Sequence, residues 1–177
     1  PPGVDRSLRG GDYAALRTMC ASVASKLGLP ALRDAKVDDI KGAAMLNHDE
    51  RQRALHVLNE NHRVLQAARA MRGNDWTTLG DLMFASHQSL RDLYRVSIDE
   101  LDLIVDAAQS LRNDGRGVFG ARMTGAGFGG CAIVLCRSDV VNRLGMAINE
   151  AFEGRFNRRS RIMRVHAVGG AEPLALQ

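Results

Sequence analysis

Residues 118–136 read VFGARMTGAGFGGCAIVLC: two apolar runs joined by a segment, 125–130, in which four of six consecutive residues are glycine. Val118 to Met123 and Cys131 to Cys136 have the apolar, partly β-branched make-up of buried strands. The glycines between them allow the positive φ angles that a tight connection needs, and they leave no Cβ in the way of a ligand. Such a turn aims successive backbone N–H groups into one concavity that suits an anion, phosphate above all. The common nucleotide loops do not match. A Walker loop would end in Lys-Ser/Thr, and a dinucleotide fingerprint would run from strand into helix, whereas here a strand follows. Glycines that only let two strands and a helix pack closely are an equal reading of these residues alone.

Upstream of this stretch the apolar period becomes helical. Tyr13, Leu16, Met19/Cys20, Val23 and Leu27 predict an amphipathic helix over 12–27, broken by Gly28 and Pro30. A longer one is predicted from about Asp49 to Arg72, with Leu55, Leu58, Val64/Leu65 and Met71, closing on Gly73-Asn74. Asp75 can cap a third, whose seam is Leu79, Met83, His87, Leu90 and Tyr94. Ser97 and Glu100 stand as a capping box before a fourth helix that runs to about Leu111 and ends at Asn113-Asp114-Gly115. Beyond the two strands, a helix from Ser138 to about Phe152 and a last strand, Arg161 to Val168, complete the order β-β-α-β. Gly3 to Leu8 alternate like an edge strand. The class expected is α+β, a single domain over 1–177 with an antiparallel sheet covered mainly on one face.

A chain of 177 residues, 45% hydrophobic and 25% charged, can bury one sizeable core. No apolar run reaches the ~18 residues of a membrane span, and the first residues lack the basic and apolar regions of a signal peptide, so a cytoplasmic location is expected. Cys20, Cys131 and Cys136 form no CxxC pair and read as reduced thiols, mostly buried. A net charge of +4 is small, and the Arg155, Arg158, Arg159, Arg161 and Arg164 group reads as a solvated basic edge without an aromatic groove for nucleic acid. His87 lies on an apolar seam with no second His at i+4, which marks a core histidine and not a metal ligand. Asp99, Glu100, Asp102 and Asp106 complement a helix dipole, Trp76 is expected to anchor helix packing, and Cys131 to pack tightly beside the glycines.

The string MTGAGFGGC resembles the third conserved motif of the GHMP small-molecule kinases, and its flanks are most similar to galactokinases within that group. Further segments resemble the same family in the same order: GVDRSLRGGDYAALRTMC at 3–20, PALRDA at 30–35 and SHQSLRDLYRVSIDELD at 86–102. Two positions depart from the pattern. Leu16-Arg17 stands where galactokinases usually carry an Arg pair, and Ala126 where many galactokinases have Gly; Ala also occurs there among GHMP relatives, including N-acetylgalactosamine kinases.

The resemblance implies the C-terminal lobe of a two-lobed kinase, a ferredoxin-like antiparallel sheet with helices mainly on one face. It implies transfer of the γ-phosphoryl of MgATP to galactose, with galactose 1-phosphate as product. The serine-rich phosphate loop, the Mg²⁺ ligands and the catalytic Asp and Arg would come from an N-terminal lobe whose motifs are not found in this chain. No catalytic or metal residue is therefore expected here, and the chain alone is expected to be inactive. Tyr13 would hydrogen-bond a sugar hydroxyl, its alternative being a half-buried core tyrosine. Thr124, Gly125, Ala126, Gly127, Phe128 and Gly129 would back the nucleotide phosphates, with Arg122 as an added cation or simply a surface residue at the end of its strand. The alternatives are a kinase of N-acetylgalactosamine or another sugar, and a non-catalytic sensor or interaction module on the same fold. Expected partners are sugar, ATP and the N-terminal lobe, with self-association through apolar surface that the lobe would cover.

Overall fold

Several helices begin where their sequence supplies the missing backbone partners. The computed structural model describes residues 10–166, and side chains from Ala14 onward. Six helices and two strands follow in the order α1 (Gly10–Lys26), α2 (Val37–Gly42), α3 (His48–Arg72), α4 (Trp76–Ser89), α5 (Asp99–Asn113), β1 (Val118–Thr124), β2 (Cys131–Cys136) and α6 (Val141–Phe156). At the start of α3 the Asn47 side chain accepts the Glu50 N–H at 2.9 Å, and the Glu50 carboxylate accepts the Asn47 N–H at 3.0 Å. That reciprocal pair satisfies two orphan donors. The helix stops at Gly73, and Asn74 takes φ 52°, the left-handed region that Asn tolerates. Asp75 then caps α4 as expected, accepting the Thr78 N–H at 2.9 Å.

The strands pair antiparallel, with Thr124 opposite Cys131, Met123 opposite Ala132 and Gly120 opposite Leu135. An irregularity between Val118 and Gly120 lets one residue bulge out of the ladder. Ala121 and Met123 are fully buried, packing among α5, α6 and the α4–α5 connection. Helix α4 runs alongside β1 at very short range. A Cβ on Gly80 would lie 1.9 Å from the Phe119 carbonyl oxygen, and one on Gly120 would lie 2.4 Å from the Gly80 Cα. Only a pair of glycines permits that approach. Seven residues further along α4, about 10 Å of helix, the His87 ring meets the Met123 amide, three residues along β1 from Gly120, which is again about 10 Å.

Three apolar clusters share the interior. One joins α1, α2 and α3 through Val23, Ile40, Ala54 and Leu58. Another joins α5, the sheet and α6 through Ile104, Ala108, Leu144, Ile148 and Phe152. A smaller one, Leu16, Leu90, Val96, Leu101 and Met123, sits under the glycine segment.

The structure corrects several expectations. Helix α5 starts after Ile98 with no side-chain cap, because the Ser97 hydroxyl is taken by Asp102, so the Ser97–Glu100 capping box does not form. No strand forms over 161–166; that segment and β2 both line one mainly apolar cavity of about 340 Å³. The ferredoxin-like expectation therefore reduces, among the described residues, to a two-stranded sheet within a mostly helical α+β fold. The expected edge strand at 3–8 and the end of the last strand, 167–168, lie outside the described residues. Trp76 is exposed at the first position of α4 and anchors no helix packing. The three cysteines are free and only half-buried.

Candidate functional site

Between β1 and β2 the chain turns through a run of left-handed conformations: φ is 87° at Gly125, 92° at Gly127, 57° at Phe128, 130° at Gly129 and 100° at Gly130. Four of those positions are glycine, and Phe128 is held there by its amide, which donates to the Val96 carbonyl at 2.8 Å. Gly127 fits beneath that bond; a Cβ there would lie 2.4 Å from the Val96 oxygen and 2.5 Å from the Val96 Cβ. Gly127 and Gly129 face inward and are buried, while Gly125, Ala126 and Phe128 are exposed. The loop thus has a pinned base and an open apex. The apex is where unpaired N–H groups can meet an anion, and the Phe128 N–H is already committed to its own fold.

Val96 belongs to the connection between α4 and α5; the sequence pattern carried plain helix through Leu90 to Tyr94, just before it. After Ser89 the helix widens into one π-turn over Leu90–Tyr94 and ends at Arg95 in the left-handed region, φ 59°. The Val96 amide bonds back to the Leu90 carbonyl at 3.0 Å, which fixes the segment that receives the loop. Polar groups hold this connection from both flanks. On the α3 flank, His56 Nδ1 pairs with Ser89 Oγ at 2.8 Å and its ring stacks on Tyr94, centroids 4.4 Å apart. Ser86 Oγ donates to Glu60 at 2.7 Å, and Glu60 accepts from Arg63 at 2.5 Å. Burial pushes the His56 imidazole down to about 4, against the smaller opposing pull of Glu60.

On the α5 flank stands His87, 2% exposed. Its Nδ1 accepts the Met123 N–H at 3.2 Å, and its Nε2 meets Asp102 Oδ1 at 3.1 Å. An amide can only donate, so Nδ1 is the bare nitrogen and Nε2 carries the proton. The same carboxylate oxygen accepts the Ser97 hydroxyl at 2.5 Å. Burial lowers the His87 pKa and Asp102 pulls it back. His87 is the satisfied core histidine that its seam position implies, and Asp102 is a buried-side partner to it beyond any role at the helix dipole.

The remaining expected residues are more dispersed. Tyr13 falls in the first turn of α1, its side chain outside the described residues. Leu16, the departure from the Arg pair, is buried with Leu90, Val96 and Met123 beneath the loop. Arg122 is half-buried and donates from Nε to the neighbouring Met123 carbonyl at 3.0 Å, so its guanidinium curls along its own strand. The basic edge is largely neutralised: Arg155 pairs with Asp99 at 2.7 Å, Arg158 with Glu100 at 2.7 Å and Arg159 with Glu153 at 2.5 Å. Among the described residues no group of three or more His, Cys, Asp or Glu could hold a metal, and no helix is long and apolar enough to cross a membrane. Sequence reading missed His56, Ser89, Glu60 and Ser86; their spacing on α3 and α4 was visible, but periodicity records apolar positions and passes over polar ones that pair inside.

Comparison with known proteins agrees with this architecture. The family described as "GHMP kinases C terminal" matches residues 65–154, which hold the end of α3, α4, α5, the loop and most of α6. Galactokinase of Bos taurus is 40% identical over 152 residues, 85% of this chain and 38% of that protein. Galactokinase of Thermotoga neapolitana is 36% identical over 171 residues, 97% of this chain and 47% of its own length. The crystal structure of Lactococcus lactis galactokinase complexed with galactose superposes with a TM-score of 0.82 at 30% identity, covering 89% of this chain and 41% of that one. The chain spans less than half the length of these relatives. A two-stranded sheet whose connection is a pinned glycine loop, framed by α4, α5 and α6, is the C-terminal domain of the GHMP kinase family, and this chain belongs to that family.

Proposed function

We propose that this chain is the C-terminal portion of an ATP-dependent galactokinase-type sugar kinase, and that the glycine loop backs the nucleotide phosphates. The observation that carries the reading is the agreement over nine-tenths of the chain, at a TM-score of 0.82, with a galactokinase solved with galactose. In the reaction, the C1 hydroxyl of galactose attacks the γ-phosphorus, the bond from γ-phosphorus to the bridging oxygen breaks, ADP leaves, and the hydroxyl proton passes to a base. Catalysis of this kind rests on positioning and charge neutralisation. Magnesium, when bound with ATP, supplies part of that neutralisation.

This chain's contribution is positional. Thr124 to Gly129 form one wall, with the Gly125–Ala126 apex free to offer N–H groups and the Gly127–Phe128 base held rigid by Val96. Arg122 adds positive charge behind the wall. We assign Tyr13, in the first turn of α1, to a sugar hydroxyl. We assign no base and no metal ligand to the chain and place both in the rest of a longer protein, together with most of the sugar pocket.

A coupled assay of ADP release, run on the longer gene product and on this chain with galactose and with N-acetylgalactosamine, tests the reading. Turnover by the longer product on galactose, with none by this chain, supports it. Turnover only on N-acetylgalactosamine moves the substrate to that sugar, and no turnover on any sugar with ligand binding retained replaces the kinase by a sensor.

A further inference from the structure

His87 ties together the three parts that define the loop's exit, and neither the fold nor its burial requires it to be histidine. Met123 is the penultimate residue of β1, two before Gly125, and its amide is received by a side chain on α4. The opposite nitrogen of the ring holds Asp102 on α5. That carboxylate holds Ser97, the neighbour of Val96, and the Val96 carbonyl receives Phe128 in the middle of the loop. The chain of bonds therefore closes on itself: strand end, imidazole, carboxylate, hydroxyl, connection, loop. An apolar residue of the same volume would fill the site, leave the Met123 N–H unpaired and leave the Asp102 carboxylate with the Ser97 hydroxyl but without the imidazole.

We propose that His87 is a positioning residue for the glycine loop, setting the strand end and, through Asp102 and Ser97, the Val96 anchor as one unit. The consequence for phosphate support rests on the loop's proposed function; the positioning itself does not. A single imidazole can do this because its two nitrogens lie on opposite sides of one rigid ring, so a shift at either end is transmitted to the other. Amides imitate one nitrogen each. Asn offers an acceptor near the Nδ1 position, whereas Gln reaches toward Nε2 and leaves Met123 without a partner.

The experiment is amide hydrogen exchange by NMR on the ¹⁵N-labelled chain, comparing wild type with His87→Asn, His87→Gln and Ser97→Ala. In His87→Gln, exchange at Met123 and Phe128 is expected to rise about tenfold relative to Leu58 in the α3 core. His87→Asn should restore Met123, and Ser97→Ala should loosen Phe128 while leaving Met123 protected. Uniform acceleration at all three amides, or no change, overturns the proposal. If the His87 variants do not fold, Ser97→Ala and the wild-type ring remain: imidazole ¹⁵N shifts must show Nε2 protonated and Nδ1 bare, and the opposite tautomer overturns the proposal. In an active longer product, His87→Gln should raise KM for ATP several-fold and leave KM for sugar unchanged. Loop exchange that responds while KM for ATP does not would sustain positioning and sink the phosphate role of the loop; an unresponsive loop sinks positioning whatever the kinetics.

Discussion

His56 and His87 are buried almost equally, 5% and 2% exposed, on adjacent helices that flank the same connection. Their surroundings differ in one respect. His87 spends both nitrogens on the fold and faces a carboxylate, so its charge state is cushioned by Asp102. His56 has one hydroxyl partner and an aromatic face, with Glu60 acting only through its charge; burial is the largest influence on both rings. Two buried imidazoles can thus serve as a bridge between elements in one place and as an uncharged wedge in another; the partner, not the depth, decides which.

The largest effect should come from removing the surface that both sites share. Gly80→Ala drives a methyl into the Phe119 carbonyl and separates α4 from β1, at a cost of about 3 kcal/mol. Urea unfolding should show a lower midpoint at unchanged m; a loss under about 1 kcal/mol would mean that helix and strand are not tightly joined. Acid should separate the two histidines next. The folded-state pKa of His56, about 4, lies below its ordinary unfolded value, so the unfolded chain takes up a proton that the folded chain refuses. This contribution to stability is present above about pH 6.5 and is lost as pH falls toward 4, by up to about 3 kcal/mol. His56→Gln should flatten that part of the urea-midpoint profile, and a slope that survives the substitution would assign it elsewhere.

Asp102→Asn removes the charged partner of the bridge and should cost about 2 kcal/mol, whereas Ser89→Ala removes the neutral partner of the wedge and should cost about 1 kcal/mol. Equal losses would erase the distinction between the two sites. Arg158→Ala, on the paired basic edge, should change stability by less than about 0.5 kcal/mol, which thermal unfolding can bound.

Much of the path to these sites was legible in the sequence. The apolar spacing of 49–72, the Gly73-Asn74 stop and the Asp75 cap located α3 and α4 because each signal is local. Glycines between two apolar runs located the loop for the same reason. Signals that needed a distant partner failed. Ser97 looks like a helix cap until Asp102 claims its hydroxyl, Trp76 looks like an anchor until the start of α4 is found in solvent, and Arg161 to His166 read as a strand but pair with none among the described residues. The Asn47–Glu50 capping box was present in the letters and simply passed over. At the candidate site the glycine positions were readable, and the polar bonds that hold them, from His87 to Val96, were not, since they join residues far apart in the chain.

The loop has a further property, one of handedness. From Gly125 to Gly130, five of six residues have the sign of φ that a chain of mirror-image amino acids would prefer. Achirality is what glycine contributes there, and Phe128 is the one L-residue required to adopt the sense that disfavours it. A D-alanine placed by chemical synthesis at exposed Gly125 should therefore be accepted, and L-alanine at the same position resisted. Natural mutation, confined to L-residues, can leave these positions only at a cost in strain, while a chemist using the opposite enantiomer could stiffen the same backbone without bending it.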